Sequence, residues 1–91
     1  MKESLIQKKI LDFLKKRGCY AVKVIAANES GTPDILACCN GKFVGIEVKA
    51  GRNKPTKLQM HKLEKIKEAA GISMVAYSVE DVEKMLEDDN G

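Results

Sequence analysis

Two strand-like runs meet at the dipeptide Asn40-Gly41, and this junction constrains the fold more than any other part of the chain. Residues 35–39 precede it and residues 42–49 follow it, and both runs are rich in apolar and β-branched side chains. Asn-Gly favours a two-residue type I′ turn between antiparallel strands. The sequence therefore predicts a β-hairpin in which the numbers of paired residues sum to 81.

This register places two carboxylates face to face. Asp34 pairs with Glu47, and Lys49 lies two residues further along the same face. The neighbouring residues are apolar, which predicts strands buried on both faces. Opposed carboxylates in such surroundings repel each other, and a bound Mg²⁺ or Mn²⁺ ion is the simplest relief. In the alternative, Asp34 caps the turn at Pro33 and Glu47 pairs with Lys49 or another lysine.

The remaining sequence predicts the element order α-β-β-β-α-β-α. Helical spacing of apolar residues before Gly18 indicates the first helix, and Thr56 with Gln59 forms a capping box that opens the second. The predicted helices are residues 3–17, 56–70 and 79–87, and the predicted strands are residues 20–26, 35–39, 42–49 and 73–77. Because 91 residues suffice for one small domain, we expect a single domain over residues 1–91.

Two polar residues occupy helix positions where apolar ones are expected. Glu3 shares a stripe with the apolar residues of the first helix, and Gln59 shares one with those of the second. Both side chains are predicted to converge on the polar centre of the hairpin. In the alternative, Glu3 is an N-terminal residue stabilised by the helix dipole, and Gln59 is only the return half of the capping box.

The charges are distributed unevenly along the chain. The net charge is +3, but residues 80–91 carry −5 and residues 1–79 carry +8. A body this basic suits a polyanion, and nucleic acid is the first candidate. The alternative is a solvated, lysine-rich surface. The acidic last helix is expected to face away from nucleic acid or to meet the basic surface of another subunit.

Composition and cysteine usage bound the cellular context. No apolar run approaches the length of a membrane span, and the N-terminal residues do not begin a signal peptide. The chain has an odd number of cysteines, and two of the three are adjacent: Cys19, Cys38 and Cys39. This pattern argues against a disulfide framework and favours a reducing cytoplasm. The cysteines are predicted to be small buried hydrophobic residues. His61 has no partner at metal-ligand spacing and is predicted to lie at the surface.

Gly31-Thr32-Pro33-Asp34, followed a hairpin later by Glu47-Val48-Lys49, resembles the PD-(D/E)xK nuclease signature. The flanking Glu3 and Gln59 resemble the VRR-NUC (virus-type replication-repair nuclease) branch, and the resemblance extends over residues 3–77. It implies an α/β, restriction-endonuclease-like fold: a mixed sheet flanked by helices, with a divalent metal at the sheet's edge. A member consisting of the nuclease domain alone is typically viral or bacterial. One departure concerns helix packing, since no aromatic residue follows Gln59 closely.

The resemblance also implies site roles. Asp34 and Glu47 would be the principal metal ligands together with the Val48 carbonyl, and Glu3 would be a further ligand, directly or through water. Lys49 would orient the attacking water and stabilise transition-state charge. Gln59 would position Lys49 or a water on the metal. The implied cofactor is Mg²⁺ or Mn²⁺, with no organic cofactor.

The function predicted from these residues is metal-dependent hydrolysis of DNA phosphodiester bonds by an endonuclease. Structure selectivity for branched DNA, as in a Holliday-junction resolvase, is expected because backbone contacts read no sequence. The candidate contacts are Lys9, Lys23, Arg52, Lys54 and Lys57. A homodimer is expected from the small size and the resemblance, acting in the cytoplasm of a bacterial cell or a virus-infected host. The alternative is a non-catalytic nucleic-acid-binding module of the same fold.

Overall fold

Three helices and four strands follow one another in the predicted order α-β-β-β-α-β-α. The structure, a computed structural model, describes residues 1–90, with the backbone but not the side chain of Asn90. The helices are α1 (Glu3–Lys16), α2 (Lys57–Glu68) and α3 (Val79–Asn90), and the strands are β1 (Tyr20–Lys23), β2 (Ile35–Cys39), β3 (Lys42–Val48) and β4 (Ile72–Ala76).

The strands form one mixed sheet in the order β1-β2-β3-β4. The β1–β2 and β2–β3 pairs are antiparallel, and β4 runs parallel to β3. Asn40 and Gly41 both take positive φ angles, 52° and 80°, as a type I′ turn requires. The β2–β3 pairs run from Cys39 opposite Lys42 to Ile35 opposite Ile46, so the predicted register is confirmed.

Helices cover both faces of the sheet. The α1 residues Ile6, Ile10 and Leu14 are buried in one hydrophobic core with the sheet, and Val82 and Leu86 of α3 belong to the same core. Helix α2 packs against β3 and β4, and its Ile66 lies beside Gly45 on the opposite face of the sheet. The sheet is therefore flanked by helices, as the predicted α/β, restriction-endonuclease-like fold requires.

Helix α2 approaches the sheet closely because two small residues lie beneath it. A Cβ atom added to Gly45 would lie 2.5 Å from Cδ1 of Ile66. On the neighbouring strand, the buried Ser73 hydroxyl donates a 2.6 Å hydrogen bond to the Leu63 carbonyl of α2. These contacts place the first turns of α2 beside the end of β3.

Strand β1 is shorter than predicted. The sequence predicts residues 20–26, but the strand ends at Lys23. The Val24 amide still donates a 2.8 Å hydrogen bond to the Asp34 carbonyl. Beyond this bond β1 has no partner strand, because β2 begins only at Ile35, and the chain leaves the sheet. Ile25 is consequently 91% exposed, although its apolar side chain suggested a strand residue.

The other element boundaries shift by one to three residues. Helix α2 ends at Glu68, and its closing residue is Ala70, with a φ of 72°, rather than the predicted Gly71. Helix α3 continues to Asn90 rather than stopping near residue 87. Strand β3 ends at Val48, one residue before the predicted end, and β4 begins and ends one residue earlier than predicted.

The prediction that the hairpin strands are buried on both faces is correct around Glu47 and wrong near the turn. Ile35, Ile46 and Val48 are buried, whereas Cys38 and Phe43 are exposed. Helix α2 covers only β3 and β4, so one face of β1 and β2 is left open. Alternating apolar residues do not by themselves reveal how far a covering helix extends.

The prediction that the cysteines form no disulfide was also wrong. Cys19 and Cys39 are bonded, with their Cα atoms 4.6 Å apart, and Cys38 is free and exposed rather than buried. The β1–β2 register explains this pairing, because Tyr20 opposite Cys38 brings Cys19 opposite Cys39. Strand alternation sends the adjacent Cys38 to the other face.

Reduction of the Cys19–Cys39 disulfide should lower the stability of the fold. It closes a loop across a sequence separation of 20, and a loop of that size restricts the unfolded chain by up to about 3 kcal/mol. We expect dithiothreitol to lower the urea midpoint of the wild type and of Cys38→Ser equally. Cys19→Ser/Cys39→Ser should show the reduced midpoint with or without dithiothreitol. An unchanged wild-type midpoint would contradict a stabilising disulfide.

Candidate active site

Asp34 is fixed between two strands at one end of the sheet. Its carbonyl accepts the Val24 amide at 2.8 Å, and its Oδ2 accepts the backbone amide of Val48 at 2.8 Å. The second bond ties the Asp34 carboxylate to β3. The preceding Pro33 is buried, and Gly31 lies against Leu58 of α2 with a φ of 80°. The turn is thus held against α2 and delivers Asp34 to the end of the hairpin.

Glu47 is almost completely buried beside Asp34. It is 2% exposed, and it occupies the pair position that follows Ile35–Ile46 in the hairpin register. Nζ of Lys49 lies 3.6 Å from Oε2 of Glu47, and the Lys49 side chain is 15% exposed. The structure therefore brings Asp34, Glu47 and Lys49 together on one face, as the sequence predicted.

The surroundings of Glu47 disfavour its charged form. Burial first, and then the charge of Asp34 and a hydrogen bond to it, raise the pKa of Glu47 from 4.5 to about 7. The Lys49 ammonium acts in the opposite direction but does not cancel these effects. Two carboxylates and one ammonium leave a site in which an added cation would be stabilised.

The donor set at this position fits a hard divalent cation. The Val48 amide points toward Asp34, and because the amide and carbonyl of an extended residue face the same side, the Val48 carbonyl faces that side too. Two carboxylates and a backbone carbonyl are the oxygen ligands that Mg²⁺ and Mn²⁺ prefer. Asp34, Glu47 and Val48 are therefore the residues that would hold the ion.

Glu3 is not grouped with the carboxylates, and the side chain of Gln59 is engaged at the start of α2. Within residues 1–90, no group of three or more His, Cys, Asp or Glu side chains could share a metal, so Glu3 does not join Asp34 and Glu47. Gln59 closes the capping box: its Oε1 accepts the Thr56 amide at 2.9 Å, and its amide donates to Thr56 Oγ1 at 3.1 Å. Site roles for Glu3 and Gln59 stay predictions.

Four of the five basic residues expected to contact DNA lie at the same end of the sheet as the carboxylates. Lys23 ends β1 opposite Ile35, and the other three follow β3 in the loop and at the start of α2. All four are exposed: Lys23, Arg52, Lys54 and Lys57. Lys9 is also exposed, but it lies on α1 beside a separate cavity of about 300 Å³.

Tyr77 is a site-adjacent residue that the sequence analysis did not single out. Its hydroxyl donates a 2.7 Å hydrogen bond to the carbonyl of Asn53, which lies between Arg52 and Lys54. The Lys49 amide bonds the carbonyl of Ala76 at 3.0 Å, so β4 supports both Lys49 and the basic loop. The parallel β3–β4 pairing brings these residues together, and no local sequence pattern predicts their contacts.

The comparison that decides the family covers nearly the whole chain. Residues 2–86 match the family described as "Archaeal holliday junction resolvase (hjc)". The chain belongs to the Hjc family. A solved VRR_NUC domain superposes on it with a TM-score of 0.79 at 26% identity, covering 93% of this chain and 94% of that one. The resemblance to the VRR-NUC branch is thereby confirmed, and the chain belongs to a nuclease family of restriction-endonuclease-like fold.

Two further relatives are similar to this Hjc-family chain. The Hjc Holliday junction resolvase of Archaeoglobus fulgidus superposes with a TM-score of 0.64 at 23% identity, over 82% of this chain and 67% of that one, which shows the shared fold. Protein p44 of Acyrthosiphon pisum secondary endosymbiont phage 1, named as a candidate nuclease, is 34% identical over 61 residues. That alignment spans 66% of this chain and 66% of p44.

The raised pKa of Glu47 predicts how stability depends on pH in metal-free buffer. The folded protein keeps the Glu47 proton to about pH 7, whereas the unfolded chain releases it near pH 4.5. The contribution of this proton to the free energy of unfolding is therefore complete below pH 4.5 and is lost as the pH rises through 7. Glu47→Gln removes the titration. In urea denaturation with EDTA, we expect the free energy of unfolding of Glu47→Gln to rise relative to that of the wild type by about 1–3 kcal/mol between pH 4 and pH 8.

The comparison with wild type cancels the titration of every other group. Asp81→Asn supplies a control at a partly buried carboxylate that accepts a backbone amide outside the site. The difference in free energy of unfolding between Asp81→Asn and the wild type should not rise between pH 4.5 and 7 as it does for Glu47→Gln. A wild-type minus Glu47→Gln difference that is flat from pH 4 to pH 8 would show that the environment of Glu47 does not retain its proton.

Proposed function

We propose that this chain is a Mg²⁺- or Mn²⁺-dependent endonuclease that hydrolyses phosphodiester bonds in branched DNA, with four-way junctions as the substrate class. The observation that carries the proposal is the buried Glu47 carboxylate opposite Asp34 and beside Lys49. A protein that only bound nucleic acid would need positive charge, and it would gain nothing from two opposed carboxylates, one of them buried. Membership of the Hjc family supports the choice of junctions.

In this proposal Asp34, Glu47 and the Val48 carbonyl hold the ion, and Glu3, which is not grouped with the two carboxylates, contributes through water. When bound, the ion neutralises phosphate oxygens and lowers the pKa of water. The hydrogen bond from the Val48 amide keeps the Asp34 carboxylate facing β3. Deprotonated Glu47 is the form that binds, so occupation of the site is favoured as the pH rises toward 7.

Lys49 serves the reacting phosphate in this proposal. Its ammonium is held 3.6 Å from Glu47 and is still partly accessible, so it lies beside the ion site and within reach of a phosphate. There it orients the attacking water and stabilises the negative charge that develops on the phosphate oxygens. Water adds to phosphorus, the bond to the leaving oxygen breaks, and that oxygen takes up a proton. Gln59 would position Lys49 or the attacking water.

DNA binding is assigned to the basic residues around the site. Arg52 and Lys54 lie in the loop after Lys49, which Tyr77 fastens, and Lys23 and Lys57 lie at the same end of the sheet. Lys9 would contact a more distant part of the backbone. These contacts bind phosphate without reading bases, so selection depends on the shape of the branched substrate.

No described helix, within residues 1–90, has the length and apolar character of a membrane span.

Residues 1–91 are proposed to act as one VRR-NUC-like domain and as a homodimer. A single site cuts one strand, whereas resolving a junction needs two cuts, and a two-fold dimer supplies two sites. We place this activity in the cytoplasm of a bacterial cell or a virus-infected host, where such DNA branches arise. The sites are proposed to need no organic cofactor.

Cleavage of a DNA panel by matched variants tests the proposal. The panel contains duplex, flap, splayed-arm and four-way-junction DNA, with Mg²⁺, Mn²⁺ or EDTA. We expect the junction to be cut fastest and EDTA to stop the reaction. Asp34→Asn and Lys49→Ala should each lower the cleavage rate at least about 100-fold while retaining junction binding. Lys67→Ala, an exposed substitution near the far end of α2, is the control and should cleave like wild type.

Two results would overturn the proposal in different ways. Equal cleavage by the wild type, Asp34→Asn and Lys49→Ala would place the activity elsewhere, most simply in a contaminant. Tight junction binding by the wild type, without cleavage in either metal, would make the protein a nucleic-acid-binding module of nuclease fold.

A further inference from the structure

A cavity of about 300 Å³ lies between the N-terminal parts of α1 and α3. We call it the α1–α3 cavity. Its walls combine aliphatic side chains, one aromatic ring and two opposite charges, and they include Met1, Ile6, Lys9, Tyr77, Val79 and Glu80. A cavity with this mixture of walls suits a ligand that is part flat, uncharged ring and part charged group.

The α1–α3 cavity lies at the end of the sheet that carries the carboxylates. Strand β4 runs parallel to β3, and Val48 is opposite Ala76. The Lys49 amide donates a 3.0 Å hydrogen bond to the Ala76 carbonyl, so the register continued by one residue sets Tyr77 beside Lys49. Neighbouring strands are about 4.8 Å apart. The cavity wall that Tyr77 forms is therefore the chain segment next to the lysine of the site.

Tyr77 offers a fixed aromatic ring to a ligand in this cavity. The residue is 38% exposed, and its hydroxyl donates a 2.7 Å hydrogen bond to the Asn53 carbonyl. Its backbone amide donates to Oδ2 of Asp81 at 2.9 Å. Because both ends of the residue are held, little conformational entropy is lost when a flat group stacks on the ring. Exposed aromatic rings stack with any nucleobase in this way.

Two opposite charges orient the ligand. Lys9 lies on α1 and Glu80 lies at the start of α3, and both residues are exposed. A phosphate group is attracted to Lys9 and repelled by Glu80, whereas an uncharged base is accepted by the aliphatic side chains and Tyr77. A nucleotide meets both requirements, since it joins a flat base to a phosphate.

The size of the cavity limits the occupant to a single nucleotide. Sites for small molecules begin at about 300 Å³, and a base enters such a site only after it has left the DNA helix. Leaving the helix costs the stacking and pairing energy of that base, and the cost is lowest where pairing is already interrupted. The cavity therefore favours DNA whose helix is broken near the site, as at a branch point.

We propose that the α1–α3 cavity takes up one unstacked nucleotide from the branch point, with its base against Tyr77 and its phosphate at Lys9. This inference rests on the proposed function and adds a means of selecting branched DNA. Phosphate contacts such as those assigned to Arg52 and Lys54 bind any DNA. Capture of the nucleotide holds the branch point at the end of the sheet that carries Lys49.

The fluorescence of 2-aminopurine measures whether a base leaves the helix. Four-way junctions carry this probe either at the branch point or in the middle of an arm, and the protein is added in EDTA so that no strand is cut. The wild type should raise the emission of the branch-point probe at least about 3-fold and leave that of the mid-arm probe unchanged.

Two substitutions of Tyr77 separate base stacking from fastening of the basic loop. Tyr77→Phe keeps the ring and removes the hydroxyl that bonds Asn53, so it should retain the rise in emission. Tyr77→Ala removes the ring, and it should abolish the rise and increase the dissociation constant for the junction at least about 5-fold. Its affinity for fully paired duplex should stay within about 2-fold of the wild type, because a duplex offers no unstacked base.

Neighbouring lysines of α1 form a matched pair for the phosphate contact. Lys9→Ala should weaken junction binding and lower the salt dependence by about one released ion. Lys8→Ala removes the same charge from the adjacent exposed residue, which does not line the cavity, and it should bind the junction within about 2-fold of the wild type. Glu80→Gln should bind more tightly, since the repulsion of the phosphate is lost. Circular dichroism and thermal melting confirm that each variant is folded.

Several outcomes would overturn the inference. Junction binding with unchanged emission of the branch-point probe would do so, and so would a rise that Tyr77→Ala preserves. Equal loss of the rise in Tyr77→Phe and Tyr77→Ala would limit Tyr77 to fastening the loop. A junction that is cut without a rise in emission leaves the proposed function intact. A rise in emission without cleavage in either metal preserves this inference and removes the proposed nuclease activity, and a failure to bind any DNA removes both.

Discussion

The hydrogen bond from the Val48 amide to the Asp34 carboxylate is the contact on which the site depends. It joins the start of β2 to the end of β3, and it holds one carboxylate beside the nearly buried Glu47. The hairpin register fixes the pair, since Asn40-Gly41 sets every pairing between the two strands. A slip by one residue would turn Glu47 to the opposite face and dismantle the site. Burial of Glu47, and after it the nearby charge of Asp34, raise the pKa of Glu47.

Helix α2 positions the carboxylate site relative to the rest of the molecule. Gly45 and Ser73 let the helix lie close to the sheet, and the capping box fixes where the helix begins, beside the end of β3. The turn that delivers Asp34 rests on the same helix through Gly31 and Leu58. Because α2 stops at β3, it leaves the apolar face of β1 and β2 open. The placement of α2 therefore accounts for both the site and the open face of β1 and β2.

Local patterns predicted the features that local chemistry determines. The Asn-Gly turn, the Thr56–Gln59 capping box and the apolar stripes gave the register, the element order and the convergence of Asp34, Glu47 and Lys49. Features that depend on packing between distant segments were not predictable in this way. The pairing of Cys19 with Cys39 required the β1–β2 register, which no turn dipeptide specifies. The position of Glu3 depends on how α1 sits relative to the sheet edge, and helical spacing does not determine it.

The central claim is that Asp34 and Glu47 form a cation site at which a proton and a metal ion compete for Glu47. Calorimetric titration of Mg²⁺ or Mn²⁺ into the protein, in buffers of different ionisation enthalpy, counts the protons released on binding. Because the pKa of Glu47 is about 7, close to one proton should be released per site at pH 6 and almost none above pH 8. Glu47→Gln should release none. Metal binding by the wild type without proton release at pH 6, or binding that Glu47→Gln leaves unchanged, would contradict this account of the site.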